Sequence, residues 1–159
     1  GVYNRSAEEM IARRLKEVGG GVLFMIDLDD FKQINDTLGH SVGDQVLVAV
    51  SDVLKHLFRA GDIVARVGGD EFVVFLESPL DPDLMARRAQ MILPHLERIS
   101  LPQLNGPVTA SIGVALSPPV QPDYAALHLA ADQAMYQSKR TSKNSFRLHV
   151  PAEMQTQNT

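Results

Sequence analysis

Residues 63–76 read IVARVGGDEFVVFL. Apart from Arg66, residues 63–67 and 72–76 are apolar and rich in β-branched and aromatic side chains, so each reads as a strand. Gly68-Gly69-Asp70-Glu71 between them is a turn of the length that hairpins use. The stretch therefore predicts an antiparallel hairpin with two carboxylates at its tip. A second stretch ends the same way. Residues 22–28 (VLFMIDL) form a short apolar run, the mark of a buried strand, with Asp27 and Asp29 closing it. A carboxylate at the end of a buried strand is costly unless it is paired or bound to a cation. If this strand lies beside the hairpin, Asp27, Asp29, Asp70 and Glu71 converge, and they repel one another without a cation. Hard oxygen ligands of this kind suit Mg²⁺ or Mn²⁺. The plainer alternative makes Asp29 a helix cap and Asp70-Glu71 a solvated turn.

Outward from these stretches, Ser6-Ala7-Glu8-Glu9 has capping-box spacing, with Ser6 as N-cap. Met10, Ile11, Leu15 and Val18 follow at helical spacing, and Gly19-Gly20-Gly21 ends that helix. Asp29 caps a short helix containing Phe31, Ile34 and Leu38, stopped by Gly39. Ser41 caps the next, whose apolar face is Val42, Val46, Val50, Val53, Leu54 and Leu57. Residues 84–99 read as a helix bent at Pro94. Residues 108–116 alternate as a strand. Asp123 caps a helix to about Arg140, and residues 146–150 are a last strand. The order α-β-α-α-β-β-α-β-α-β contains both crossovers and a hairpin. A mixed sheet with helices packed on it, an α/β fold of the α+β kind, is the simplest architecture.

The chain has 159 residues, one domain's worth, read as a domain over 1–150 and a polar, frayed tail or linker over 151–159. Without cysteine, disulfides, thiolate zinc sites and thiol catalysis are excluded. A net charge of −4 argues against DNA or RNA as a partner, since sequence-independent binding needs a basic excess. The longest uncharged stretch, residues 99–122, contains five prolines and cannot be one spanning helix. Gly1 reads as a cut inside a longer protein.

Several residues near the acids suit a nucleotide. The free N–H groups of Asp30, Phe31 and Lys32 at a helix start make a phosphate seat. Lys32 sits where the helix dipole disfavours a cation, so an anionic partner explains it. Gly68 and Gly69 remove two Cβ atoms beside the acids and let a ligand approach. Asn35 and Asp44 together can read a guanine edge, with His40 between them, although all three also have capping or turn explanations. Lys139 and Lys143 share one helix face if the helix persists that far, and could clamp phosphates. A solvated basic helix end is the alternative.

These residues resemble the GGDEF family of diguanylate cyclases. The signature stands as Arg66-Val67-Gly68-Gly69-Asp70-Glu71-Phe72, and its partner phrase as Asp27 through Asp36 followed by Gly39-His40 and Gly43-Asp44. Tyr3-Asn4-Arg5, Thr109 through Gly113, and Ala131-Asp132 through Tyr136 to Lys139 also match. The resemblance implies a palm-like nucleotidyl cyclase fold with a mainly antiparallel sheet. It implies condensation of two GTP into cyclic di-GMP with release of pyrophosphate, on a homodimer with one nucleotide per domain. It makes Asp27, the Leu28 carbonyl and Asp70 ligands of Mg²⁺ (or Mn²⁺), and Glu71 a second ligand or the group that deprotonates the ribose hydroxyl. It makes Asn35 and Asp44 guanine readers with His40 beside the substrate. Asp30, Phe31, Lys32, Lys139 and Lys143 become triphosphate contacts beside Gly69.

Arg59-Ala60-Gly61-Asp62 resembles the family's RxxD site, where cyclic di-GMP binds and restrains turnover. The family usually has Gly-Arg-Asn where this chain has Ser142-Lys143-Asn144, so Lys143 keeps the charge but lacks the planar fork. The resemblance also implies a cytoplasmic domain of a signalling protein with an attached sensor domain, and residues 151–154 faintly resemble the exit into a C-terminal EAL domain. The competing reading is a non-catalytic module that binds GTP or cyclic di-GMP and controls an attached domain.

Overall fold

A computed structural model describes residues 5–77, 81–117 and 122–155. The elements run α1 (Arg5–Val18), β1 (Gly21–Leu28), α2 (Phe31–Leu38), α3 (His40–Leu57), β2 (Ile63–Arg66), β3 (Glu71–Leu76), α4 (Pro82–Glu97), β4 (Ala110–Ser117), α5 (Tyr124–Thr141), β5 (Ser145–His149) and α6 (Ala152–Gln155). The five strands form one sheet in the order β2-β3-β1-β4-β5, antiparallel except for the β4–β5 pair. This is the mixed, mainly antiparallel sheet flanked by helices that the sequence predicts.

β1 is central and buried along its whole length. Val22, Phe24, Ile26 and Leu28 pack with α3 and α4 on one face, while Leu23 and Met25 pack with Ile11 and Leu15 of α1 and Leu127, Ala131 and Met135 of α5 on the other. A strand covered on both faces needs no polar alternation, so it reads as a continuous apolar run. Gly113 sets the height of α5 above the sheet. A Cβ there would lie 2.0 Å from the Ala131 carbonyl oxygen and 2.3 Å from the Met135 nitrogen. Only glycine admits the helix backbone so close.

Element boundaries differ from the sequence reading at capped ends. Ser6 lies inside α1, and Tyr3 and Asn4 fall outside the described residues. α3 begins at His40 behind Gly39, so Ser41 is not its cap. α4 begins at Pro82 because the Asp81 side chain accepts from the Asp83 and Leu84 amides, and Pro94 stays within it. Residues 152–155 coil into α6, and Met154 packs against the core, so this part of the tail is ordered against the domain. Among the described residues no helix is long and apolar enough to cross a membrane.

Candidate active site

Strand pairing brings three of the four acids together. Asp27 lies opposite Glu71 on β3 and opposite Ser111 on β4. The Leu28 amide donates to the Asp70 carbonyl oxygen at 3.1 Å, fixing the hairpin tip against the end of β1. Alternation places Asp27 and Glu71 on the face that carries Leu23, Met25 and Val73, below α5. From α5, Lys139 reaches down and its Nζ donates to Asp27 Oδ2 at 2.6 Å. The other oxygen, Asp27 Oδ1, is buried with no hydrogen-bond partner. Burial raises the Asp27 pKa to about 6; the Lys139 bond opposes the rise and the Asp70 charge adds to it. Burial also raises Glu71, helped by the charges of Asp70 and Asp132 and opposed by His128 and Lys139. On Lys139 burial acts downward, but the bond to Asp27 and the surrounding acids outweigh it and its pKa is raised.

The turn between β2 and β3 is held by the first residue of the signature. Arg66 Nε donates to the Gly68 and Gly69 carbonyls at 3.0 and 3.1 Å, and the Val67 amide donates to the Glu71 carbonyl at 3.0 Å. Neither glycine has a positive φ, so the backbone does not demand them. A Cβ on Gly69 would meet nothing within 4 Å, and that side of the turn is open for approach.

Asp29 does not cap α2, and it does not join the acid cluster. The N-cap is Asp30, at φ 57° in the left-handed region, and its side chain makes no capping bond. Asp29 is buried, and both its oxygens are bonded to β4 and to the entry of β5. Oδ1 accepts from Ser111 Oγ at 2.7 Å; Oδ2 accepts from Thr109 Oγ1 and the Asn144 amide, both at 2.9 Å. A carboxylate that finds three donors near its own strand end has no reason to turn back to cap a helix.

Lys139 and Lys143 do not share a helix face. α5 ends at Thr141, and Lys143 and Asn144 turn left-handed at φ 47° and 40°. Both lysines nonetheless return to the acids, Lys143 through a 2.8 Å bond from Nζ to Asp30 Oδ1. Ser142, where the family usually has glycine, sits at φ −149°, which any residue adopts.

Of the guanine-reader candidates, Asn35 rests its side chain against Gly43, next to Asp44. A Cβ on Gly43 would lie 1.9 Å from Asn35 Oδ1. Phe31 is buried, while Lys32, His40 and Asp44 are exposed. Arg59 and Asp62 stand apart, in the turn between α3 and β2. There the Arg59 amide donates to Asp62 Oδ2 at 2.8 Å beside an open groove of about 520 Å³ lined also by Met10 and Arg14.

Sequence reasoning missed Arg66 as the clamp of the turn, Thr109, Ser111 and Asn144 as partners of Asp29, and His128 and Asp132 as charges bearing on Glu71. The quoted family phrases contain Arg66, Thr109, Ser111 and Asp132, but nothing in their spacing gives these contacts.

A protein-family model described as "Diguanylate cyclase, GGDEF domain" matches residues 1–145. The chain belongs to the GGDEF family. It is 38% identical over 129 residues to diguanylate cyclase DosC of Escherichia coli K12, covering 79% of this chain and 28% of DosC. The chain thus spans less than a third of that relative's length. The crystal structure of the GGDEF domain of PA1120 (YfiN or TpbB) from Pseudomonas aeruginosa superposes with a TM-score of 0.83 at 36% identity, over 93% of this chain and 96% of that one. The GGDEF domain of DgcB from Caulobacter crescentus, in complex with c-di-GMP, superposes with a TM-score of 0.78 at 28% identity, over 94% and 91%.

The site fits a hard divalent cation. Asp27 Oδ1 is a buried acceptor without a donor, the Asp70 carboxylate bears on Asp27, and Glu71 stands opposite it in register with Asp70 bearing on it too. Among the described residues no three acidic or histidine side chains stand together as a preformed metal site.

Proposed function

We propose that this domain is a diguanylate cyclase that condenses two GTP into cyclic di-GMP. The observation that carries the reading is the desolvated, unpartnered Asp27 oxygen on the strand position opposite Glu71, with the Asp70 charge bearing on it. Asp27, the Leu28 carbonyl and Asp70 would hold Mg²⁺ or Mn²⁺, with Glu71 as a second ligand or as the base; the ion when bound neutralises phosphate charge and favours the attacking alkoxide. Lys139 and Lys143 supply positive charge at either side of the β1 end, with Asp30, Phe31 and Lys32 at the start of α2. Asn35 and Asp44 receive the guanine, with His40 beside it and Gly69 leaving the approach open.

In the reaction, the ribose 3′-oxygen of one GTP attacks the α-phosphorus of the other. The new O–P bond forms as the bond to pyrophosphate breaks in line with it. Glu71, with its pKa raised by burial and by the acids around it, is suited to take the 3′-hydroxyl proton at its carboxylate. One domain offers one such nucleotide site, so two copies face each other as a C2 homodimer. Arg59 and Asp62 form the product site that restrains turnover, Arg59 offering a fork for phosphate or a guanine edge. The domain works in the cytoplasm as part of a longer signalling protein with a sensor domain and, by the likeness of residues 151–154, an EAL domain.

The test is a product assay by mass spectrometry with GTP and Mg²⁺ at protein concentrations that enforce dimerisation. Cyclic di-GMP is expected, and chelation is expected to abolish it. Glu71→Ala is expected to lower turnover roughly 10²–10⁴-fold with the fold intact. Full activity in that variant would overturn the assigned chemistry. GTP binding without product would establish the regulatory module instead.

A further inference from the structure

Asp29 is a buried carboxylate that the chemistry above does not use. Its three donors come from two separate elements: Thr109 and Ser111 at the start of β4, and the backbone of Asn144 just before β5. The Asp29 amide in turn donates to the Thr109 carbonyl at 2.8 Å, so β1 and the β4 entry are tied in both directions. The bond to Asn144 is of a different kind, because it fixes a turn. Lys143 and Asn144 are consecutive non-glycine residues with positive φ, a conformation that persists only where its surroundings impose it. One anchor is the Lys143 amide, which donates to the Ser138 carbonyl at 3.1 Å. The others are the Asn144 side chain on Glu97 at 3.1 Å and the Asn144 amide on Asp29. Only the last is a charge-assisted bond to a buried group. The product of this geometry is the placement of Lys143 Nζ over the β1–α2 loop, 2.8 Å from Asp30.

We propose that Asp29 is a positioning residue for substrate binding: by gripping the Asn144 amide it holds the left-handed turn that aims Lys143 at the triphosphate. The inference rests on the reading of the site as a GTP site. Asp29 touches no reacting atom and acts through Lys143. An isosteric amide can keep the grip. Asn at position 29 can direct its carbonyl to Thr109 and Asn144 and its NH₂ to the Ser111 hydroxyl, which turns to accept. Alanine cannot.

The experiment measures kcat and KM for GTP in the dimer, together with hydrogen exchange of the Asn144 amide in the nucleotide-free protein. Asp29→Ala is expected to raise KM roughly tenfold with kcat within about threefold, and Asp29→Asn to stay within about threefold of the parent in both. In a Lys143→Met background, Asp29→Ala is expected to add less than about twofold, because the group it positions is gone. Independent, multiplying effects, or a loss in kcat with KM unchanged, would overturn the proposal. In the parent protein the Asn144 amide is expected to exchange at least roughly 100-fold slower than an open turn amide, and to lose that protection in Asp29→Ala. This first measurement needs no variant, so it decides even if Asp29→Ala does not fold: a fast-exchanging Asn144 overturns the grip. A Lys143→Met protein with unchanged KM would overturn the phosphate role of Lys143, while the exchange result still decides whether Asp29 holds the turn.

Discussion

Asp27 and Asp29 leave the same strand two residues apart, and both are buried. Their surroundings are opposite. Asp29 meets three donors and closes on them. Asp27 meets one donor, Lys139, and neighbouring acids, and keeps one oxygen without a partner. The first arrangement stabilises the fold. The second costs stability in the free domain, and under the proposed function a bound cation would restore the missing interaction. The comparison teaches that burial of an acid marks a site only when the protein withholds donors from it.

The same isosteric change should therefore have opposite consequences at the two positions. Asp27→Asn is expected to lower cyclic di-GMP formation at least ~100-fold while leaving the free domain as stable or more stable in urea denaturation. Asp29→Asn is expected to leave turnover nearly intact. Equal losses at both positions would erase the distinction drawn here.

A pH titration of stability sharpens it. The folded pKa of Asp27, about 6, stands above its unconstrained value of 3.8. The native state therefore binds the proton more tightly than the unfolded chain. The stability this contributes is fully present below about 4 and is lost as pH rises through about 6. Thermal unfolding of the metal-free domain should show a loss on the order of 2–3 kcal/mol over that window, with Glu71 acting in the same direction. The step should shrink in Asp27→Asn and persist in Asp29→Asn. A step of unchanged size in Asp27→Asn would assign it elsewhere.

The smallest effect concerns the counter-ion. Lys139→Met removes the one donor that Asp27 has and should weaken GTP binding by roughly tenfold or less in a nucleotide titration, with stability changed by about 1 kcal/mol. A change larger than that of Asp27→Asn would make Lys139, not the acid, the centre of the site.

Much of this was legible in the residues. The hairpin around Gly68-Gly69, the buried run ending in Asp27 and the α5 helix behind Asp123 are local patterns, set by periodicity and capping chemistry, and the structure has them near their expected places. The signature phrases are local too, and they carry the family likeness within the sequence alone. Asp29 was misread for the same reason. A short acid before an amphipathic segment looks locally like a cap, and its real donors lie about eighty and more positions away at Thr109, Ser111 and Asn144.

By itself the chain's order of residues determined the element types, the family and the set of acids, because those depend on neighbours within a few positions. Tertiary structure alone decided which acid stays open and which is satisfied, and that Lys143 returns to Asp30 after its helix has ended. Hydrogen-bond satisfaction and desolvation depend on what the sheet order β3-β1-β4 and the close seat of α5 over Gly113 bring alongside, and no local pattern encodes that.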